Sequence, residues 1–253
     1  MLAPERHQQI LHLLEERGTL RTVDLAEQFQ CTDETIRRDL QILAANNQLA
    51  RVHGGASSLS GRPALQSFTQ RSQLEIGRKQ AIAKTALELI KPGHTYAFDS
   101  STTALSLVSI LPDQPYRIVT NAYAVMNRLI HLDNVDLIST GGRYHAKTQT
   151  FVGSDSIDTL RRHNVNTAFI SCIGIECQRG VSEGFEEQAT FKERLIQYAE
   201  ETVLLVDSTK FNQSADYFFA NLNQISRIIT DNGIPAKVAK EFSTAGCELI
   251  IAH

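Results

Sequence analysis

From Glu75 onward, short apolar, β-branched runs alternate with segments of helical period, and no other feature restricts the fold so tightly. The runs at Tyr96–Phe98, Arg117–Thr120, Val135–Ser139, Ala168–Cys172, Val203–Val206, Arg227–Thr230 and Glu248–Ala252 read as strands. Between them, Lys79–Ile90, the residues after Ser101, Ala124–Leu132, Ser154–Arg162, Gln188–Ala199 and Ala236–Ser243 read as helices. Parallel strands need long crossovers, which helices supply, so this alternation predicts an α/β domain with a mainly parallel sheet.

In such sheets ligands settle at the carboxyl ends of the strands, where loops lead into helix N-termini. Polar stretches stand at five of these ends: DSSTT at Asp99–Thr103, Thr120–Asn121, TGGR at Thr140–Arg143, IGIE at Ile173–Glu176 and DSTK at Asp207–Lys210. Hydroxyls and backbone N–H groups of Ser100, Ser101, Thr102 and Thr103 would converge on an anion, favoured there by the helix dipole. Gly141 and Gly142 let backbone amides approach a ligand, while Arg143 and Lys210 bring positive charge. Each stretch has an ordinary alternative, as a Ser/Thr helix cap, a plain turn or a solvated lysine. Five polar ends with two cations favour one shared anionic pocket, which also takes in Asn121, Gly174 and Glu176.

The first residues read differently. Ile10, Leu11, Leu13 and Leu14 recur with helical spacing between Pro4 and Gly18, and a second helix begins near Thr22. A third, TDETIRRDLQIL, has Thr32 as N-cap and Ile36, Leu40 and Leu43 on one apolar stripe, which turns Thr35, Arg37 and Arg38 elsewhere. QLARVHGGA then alternates like a strand and turns at Gly54–Gly55. Three helices and a hairpin outline a winged helix-turn-helix, whose recognition helix needs polar groups at its N-terminal half. Arg51 and His53 would lie on the wing.

Charge alone does not favour nucleic acid. The chain carries a formal −3, and residues 1–56 hold six arginines against eight acidic residues. Arg37 and Arg38 could pair with Glu34 and Asp39 as a solvated helix face. Glu15, Glu16 and Glu27, however, belong to the first two helices, whereas Arg37, Arg38, Arg51 and His53 cluster on the third helix and wing.

The succession LAEQF, Thr32, TIRRDL and RVHGGA resembles the N-terminal domain of the DeoR family of bacterial regulators. The resemblance implies that Thr32, Thr35, Arg37, Arg38, Arg51 and His53 face a double-stranded DNA operator. The D-S-S-T-T, T-N, T-G-G, G-I-E and D-S-T-K-F stretches between Lys79 and Asp231 are similar to the family's sensor domain, which resembles the ribose-5-phosphate isomerase and glucosamine-6-phosphate deaminase fold. This implies that Ser101, Thr102 and Thr103 hold a phosphate, that Lys210 balances it, and that Asp99, Asn121, Gly141, Gly142 and Glu176 meet the polyol of a phosphorylated sugar or related metabolite. Ser101 replaces a common glycine, and Glu176 a commoner aspartate.

The expected organisation is therefore a winged helix-turn-helix over 1–56, a linker over 57–74, rich in Ser, Gly and Gln, and a sensor over 75–253. The expected function is a transcriptional regulator, a repressor of carbohydrate genes and a homo-oligomer. The alternative is an isomerase- or deaminase-like enzyme with an appended DNA-binding domain. Isomerases of this fold carry a dense acidic DGADE-like segment, but the matching CIGIEC has only Glu176, and proton transfer between carbons needs more. No catalytic residue, metal or cofactor is expected, since the histidines are scattered and the four cysteines form no CxxC pair. With neither a signal-peptide core nor an apolar run near the roughly 20 residues of a membrane span, the expected location is the cytoplasm.

Overall fold

A computed structural model describes residues 2–17, 19–46, 48–52, 54–57, 66–244, 246 and 248–253. It divides into two compact units, Met1–Gln66 and Ser67–His253.

In the first unit, α1 (Ala3–Arg17), α2 (Thr22–Gln28) and α3 (Asp33–Ala45) enclose a core of Ile10, Leu14, Leu25, Ile36, Leu40 and Leu43. The hairpin is β2 (Ala50–Val52) and β3 (Gly55–Ser57), and a strand absent from the sequence reading, β1 (Thr19–Arg21), pairs antiparallel with β3. The resulting order is β1-β3-β2. This third strand accounts for one of the two glycines of the wing, and the hairpin turn for the other. Gly54 turns the chain at φ +77°, and a Cβ on Gly55 would stand 1.9 Å from the Leu20 carbonyl oxygen. The structure is a winged helix-turn-helix.

The second unit begins with α4 (Phe68–Gln73) and α5 (Ile76–Leu87). The segment read from composition as linker is thus helical in part, while residues 58–65 lie outside the described ones. Six residues are too few to show a period, and α4 depends on its ends instead. Ser67 and Gln70 form a reciprocal capping box, Phe68 is buried, and Lys79 Nζ donates to the Arg71 and Leu74 carbonyls at 2.5 and 2.6 Å.

The main sheet contains β4 (Thr95–Phe98), β5 (Tyr116–Thr120), β6 (Val135–Ser139), β9 (Val165–Ile170), β12 (Ala199–Leu205), β14 (Arg227–Asp231) and β15 (Glu248–Ala252). Its order is β15-β14-β12-β9-β4-β5-β6, with every pairing parallel. Side chains alternate between two cores. Tyr96, Phe98, Phe169 and Val203 pack with Ile82 of α5, Leu107 of α6 (Thr102–Val108) and Val125 of α7 (Tyr123–Leu129). Ala97, Ala168, Ile170 and Leu204 pack on the other face with Leu160 of α8 (Ser154–Arg161), Leu195 of α9 (Glu186–Tyr198) and Phe242 of α10 (Ala236–Ser243). Apolar coverage on both faces explains why these strands read as continuous apolar runs.

Two small antiparallel sheets decorate this frame: β7 (Arg143–His145) with β8 (Thr150–Val152), and β10 (Gly174–Glu176), β11 (Gly180–Glu183) and β13 (Tyr217–Ala220). From β4 the chain proceeds to β5 and β6 on one side, then crosses to β9, β12, β14 and β15 on the other. The loops after β4 and β9 therefore diverge, and such a switch point opens a crevice at the strand ends.

Candidate nucleic-acid interface and effector crevice

In α3 the buried stripe of Ile36, Leu40 and Leu43 leaves Arg37 and Arg38 exposed. Thr32 caps the helix by accepting the Thr35 N–H at 3.3 Å, and the two hydroxyls lie 2.9 Å apart. Asp39 does not pair with the arginines beside it in sequence. It is buried against α1, accepting from Arg6 Nε at 2.5 Å and lying 2.9 Å from His7 Nε2. Among the described residues Arg37 and Arg38 have no hydrogen-bond or ion-pair partner, so both guanidinium groups remain available for phosphates or base edges. Arg51 is exposed on β2, whereas His53 lies outside the described residues.

At the switch point the centre is Asp99, only 1% exposed. Its Oδ1 accepts the Ser101 N–H at 2.9 Å, and its Oδ2 accepts the Ser171 N–H at 2.9 Å and lies 3.2 Å from Lys192 Nζ. Expected to meet a polyol, Asp99 uses Oδ1 within its own loop and Oδ2 to pin the end of β4 to that of β9. The strand end expected at Cys172 falls at Ile170, because the Ser171 N–H turns to this carboxylate. Lys192, on the buried face of α9, also donates to Glu183 Oε2 at 2.5 Å and to the Ser171 carbonyl at 2.8 Å. Burial disfavours the ammonium, but Glu183 and Asp99 outweigh it and raise the Lys192 pKa.

The DSSTT loop is buried throughout. The Ser101 hydroxyl accepts the Ala104 N–H at 3.0 Å as N-cap of α6, and the Ser100 hydroxyl accepts from Gln188 Nε2 at 3.4 Å. The amides expected to be free at this loop are thus partly used within the chain. Thr102 and Thr103 stand in the first turn. On the neighbouring strand Asn121 donates through Nδ2 to the Phe151 carbonyl at 3.1 Å, and its Oδ1 is buried with no partner among the described residues.

Gly141 has φ +65° and open space around it, whereas Gly142 is required by its approach to Val152, whose oxygen a Cβ would meet at 2.6 Å. Arg143, expected to add charge to the pocket, is exposed and bound to Glu187 Oε1 at 2.5 Å. Gly174 and Glu176 lie on β10 beyond the main sheet. The glycine at 174 is accounted for by the Gln213 carbonyl, 2.3 Å from where a Cβ would stand, and Glu176 lies 3.8 Å from Arg179 Nη1. Lys210 ends a 3₁₀ turn, Ser208–Lys210, after β12; it is half-buried, and its amine has no partner among the described residues.

Sequence reading missed Lys192, Glu183, Gln188 and Ser171. Lys192 and Gln188 did leave a trace. Both fall at core positions of α9 beside Ala189, Leu195 and Ile196, where a polar residue signals a buried network. Among the described residues no group of three or more His, Cys, Asp or Glu side chains could hold a metal, and no helix is long and apolar enough to cross a membrane.

A winged helix with unpaired arginines on its recognition helix, followed in one chain by a doubly wound sheet with a polar switch-point crevice, defines a DNA-binding transcriptional regulator with a small-molecule sensor. Residues 6–62 match the DeoR-like helix-turn-helix domain, and residues 74–232 match the DeoR C terminal sensor domain. The chain belongs to the DeoR family. It is 36% identical to an HTH-type transcriptional regulator of Bacillus subtilis over 94% of this chain and 93% of that one. It is 32% identical to a putative aga operon transcriptional repressor of Escherichia coli O157:H7, over 98% and 93%, and 33% identical to an L-fucose operon activator of Haemophilus influenzae, over 93% and 94%. A ribose 5-phosphate isomerase from Methanocaldococcus jannaschii aligns over 53% of each chain, with 18% identity and a TM-score of 0.40.

Proposed function

We propose that this protein represses carbohydrate-metabolism genes and that a phosphorylated sugar bound at the switch-point crevice controls it. The observation that carries the effector reading is Asn121. Its buried Oδ1 has no donor among the described residues, and a buried acceptor left unsatisfied costs about 1–3 kcal/mol, which a ligand hydroxyl would recover. Thr102 and Thr103 in the first turn of α6, with the unpaired amine of Lys210, supply donors and charge for a phosphate. Relatives named for the aga and L-fucose operons agree with a sugar-responsive role.

Binding rather than turnover is the reading for this crevice. Lys192 Nζ is ion-paired with both Asp99 and Glu183, so neither carboxylate is free to serve as a proton-abstracting base. The winged helix acts as one of a pair in a homo-oligomer matched to two operator half-sites. The units are proposed to divide their work as 1–56 for DNA and 75–253 for effector. Effector binding lowers operator affinity only to the extent that it favours the arrangement unable to engage both half-sites.

A thermal-shift panel of pentose and hexose phosphates, each beside its unphosphorylated sugar, tests this. At least one phosphate is expected to raise the melting midpoint where its parent sugar does not, and Lys210→Ala to abolish the shift. Equal shifts from phosphate and parent sugar would remove the phosphate from the proposal.

A further inference from the structure

α9 carries two buried polar side chains one turn apart, Gln188 and Lys192, and the fold uses them unequally. Lys192 Nζ has an acceptor for each of its three N–H bonds: Glu183 at 2.5 Å, the Ser171 carbonyl at 2.8 Å and Asp99 at 3.2 Å. Gln188 is only 5% exposed, yet its Nε2 reaches the Ser100 and Thr150 hydroxyls at 3.4 and 3.5 Å, the outer edge of hydrogen bonding. Its Oε1 has no hydrogen-bond partner among the described residues. Turning the amide over would exchange oxygen and nitrogen and leave the N–H donors unanswered instead, so one half is unused in either orientation.

The partners of Gln188 place its amide at the crevice. β4 and β5 pair with Phe98 opposite Thr120, so Ser100 lies just past one strand end and Asn121 just past the next. Thr150 bridges Ala122, and Phe151, the following residue, donates its N–H to the Asn121 carbonyl at 2.8 Å and accepts from Asn121 Nδ2 at 3.1 Å. Gln188 and Asn121 are thus tied to consecutive residues of β8, and the Asn121 Oδ1 is itself buried without a donor. Two neutral, half-used amides are suited to a hydroxyl, which donates and accepts through one oxygen.

We infer that Gln188 is a specificity-determining contact for the effector, its side-chain amide binding a hydroxyl of the sugar chain beside the one met by Asn121. The inference rests on the sugar-phosphate reading of the crevice and deepens it, assigning recognition of the neutral polyol to α9, apart from the phosphate donors of α6 and Lys210. A site built to hydrogen-bond a hydroxyl rejects the analogue that lacks it, because its own buried polar group is then left unpaired.

The test uses the full chain, titrated calorimetrically with pentose and hexose phosphates and with the deoxy analogues that lack each hydroxyl in turn. For a phosphate that binds wild type, one deoxy analogue is expected to bind about tenfold more weakly or worse. Gln188→Met should bring that ratio close to one while the ratios at the other hydroxyls stay as in wild type. The ratio within one variant is insensitive to a loss of stability, which weakens parent and analogue alike. Should Gln188→Met fail to fold, Gln188→Glu replaces the amide by a carboxylate and should change the ratio at one hydroxyl alone. Ratios unchanged from wild type in the folded variant overturn the inference and leave the effector reading standing, as does a wild type that binds every deoxy analogue as tightly as its parent. A wild type that binds none of the phosphates overturns the effector reading itself, and this inference with it.

Discussion

In α3 the stripe of Ile36, Leu40 and Leu43 carries Asp39 toward α1, where Arg6 and His7 meet it. The local charge count is altered by this turn of the helix, because Asp39 and Arg6 pair within the fold, as Arg21 and Asp24 do on the surface, while Arg37 and Arg38 have no ion-pair partner among the described residues. Burial pushes the Asp39 carboxyl up, but hydrogen bonds from Arg6 and His7 outweigh it and hold its pKa below the ordinary value. A depressed folded-state pKa adds stability above the unfolded pKa, and that stability is lost as pH falls through the folded value. The winged helix should therefore hold its stability down to about pH 5 and weaken below the usual carboxylate range near 4. Asp39→Asn should cost about 3 kcal/mol at neutral pH by removing the buried charge that Arg6 and His7 meet, and should flatten the acid limb. All six tyrosines lie in the second unit and the chain has no tryptophan. Helical circular dichroism compared with tyrosine fluorescence along an acid or urea titration thus separates the two units. The same fluorescence should report a loss on the order of 3–5 kcal/mol for Lys192→Met, which would leave Asp99 and Glu183 buried without their cation.

At the scale of elements, the wing depends on a close approach. Gly55→Ala would drive a methyl into the Leu20 carbonyl and part β1 from β3, so operator affinity should fall together with the stability of the first unit; wild-type operator affinity in this variant would refute that view of the wing. The RVHGGA pattern carried both glycines in plain sight, but the reason for Gly55 depends on Leu20, distant in sequence and unmarked by any period. The inner strands were legible because both faces are buried, and the edge strands β6 and β15, although partly exposed, fall at their expected bounds, as does α10. Strands of three or four residues, such as β1, β7, β10 and β13, were not, because an alternation that short is indistinguishable from loop and the pairing partner alone defines it. α4 was hidden for a related reason, its Ser67–Gln70 box being the one local sign of a helix start. The candidate site was legible in its strand-end hydroxyls and in Asn121. It was not legible in the Asp99–Lys192–Glu183 network, which joins a strand end, a helix and a second sheet.

For the whole molecule, DNA binding should show its electrostatics as a salt slope. Each phosphate contact contributes roughly −0.9 to the slope of log affinity against log salt, so an Arg37→Ala/Arg38→Ala variant should show a shallower slope as well as weaker binding, with both melting transitions intact. An unchanged slope in fluorescence anisotropy on operator DNA would place the contacts elsewhere. The order of the main sheet has a kinetic consequence too. β4 lies beside β9, and the bond from Ser171 to Asp99 joins residues 72 apart, across a stretch that holds β5 and β6. Loop-closure entropy sets against so distant a pairing, and non-local parallel strands are slow to form. The crevice lies at this same seam, so it comes into being only when the two halves of the sheet meet. If the metabolite binds there as proposed, a chain whose sheet halves have not met has no place for it, and competence to sense arrives with the joining of β4 to β9.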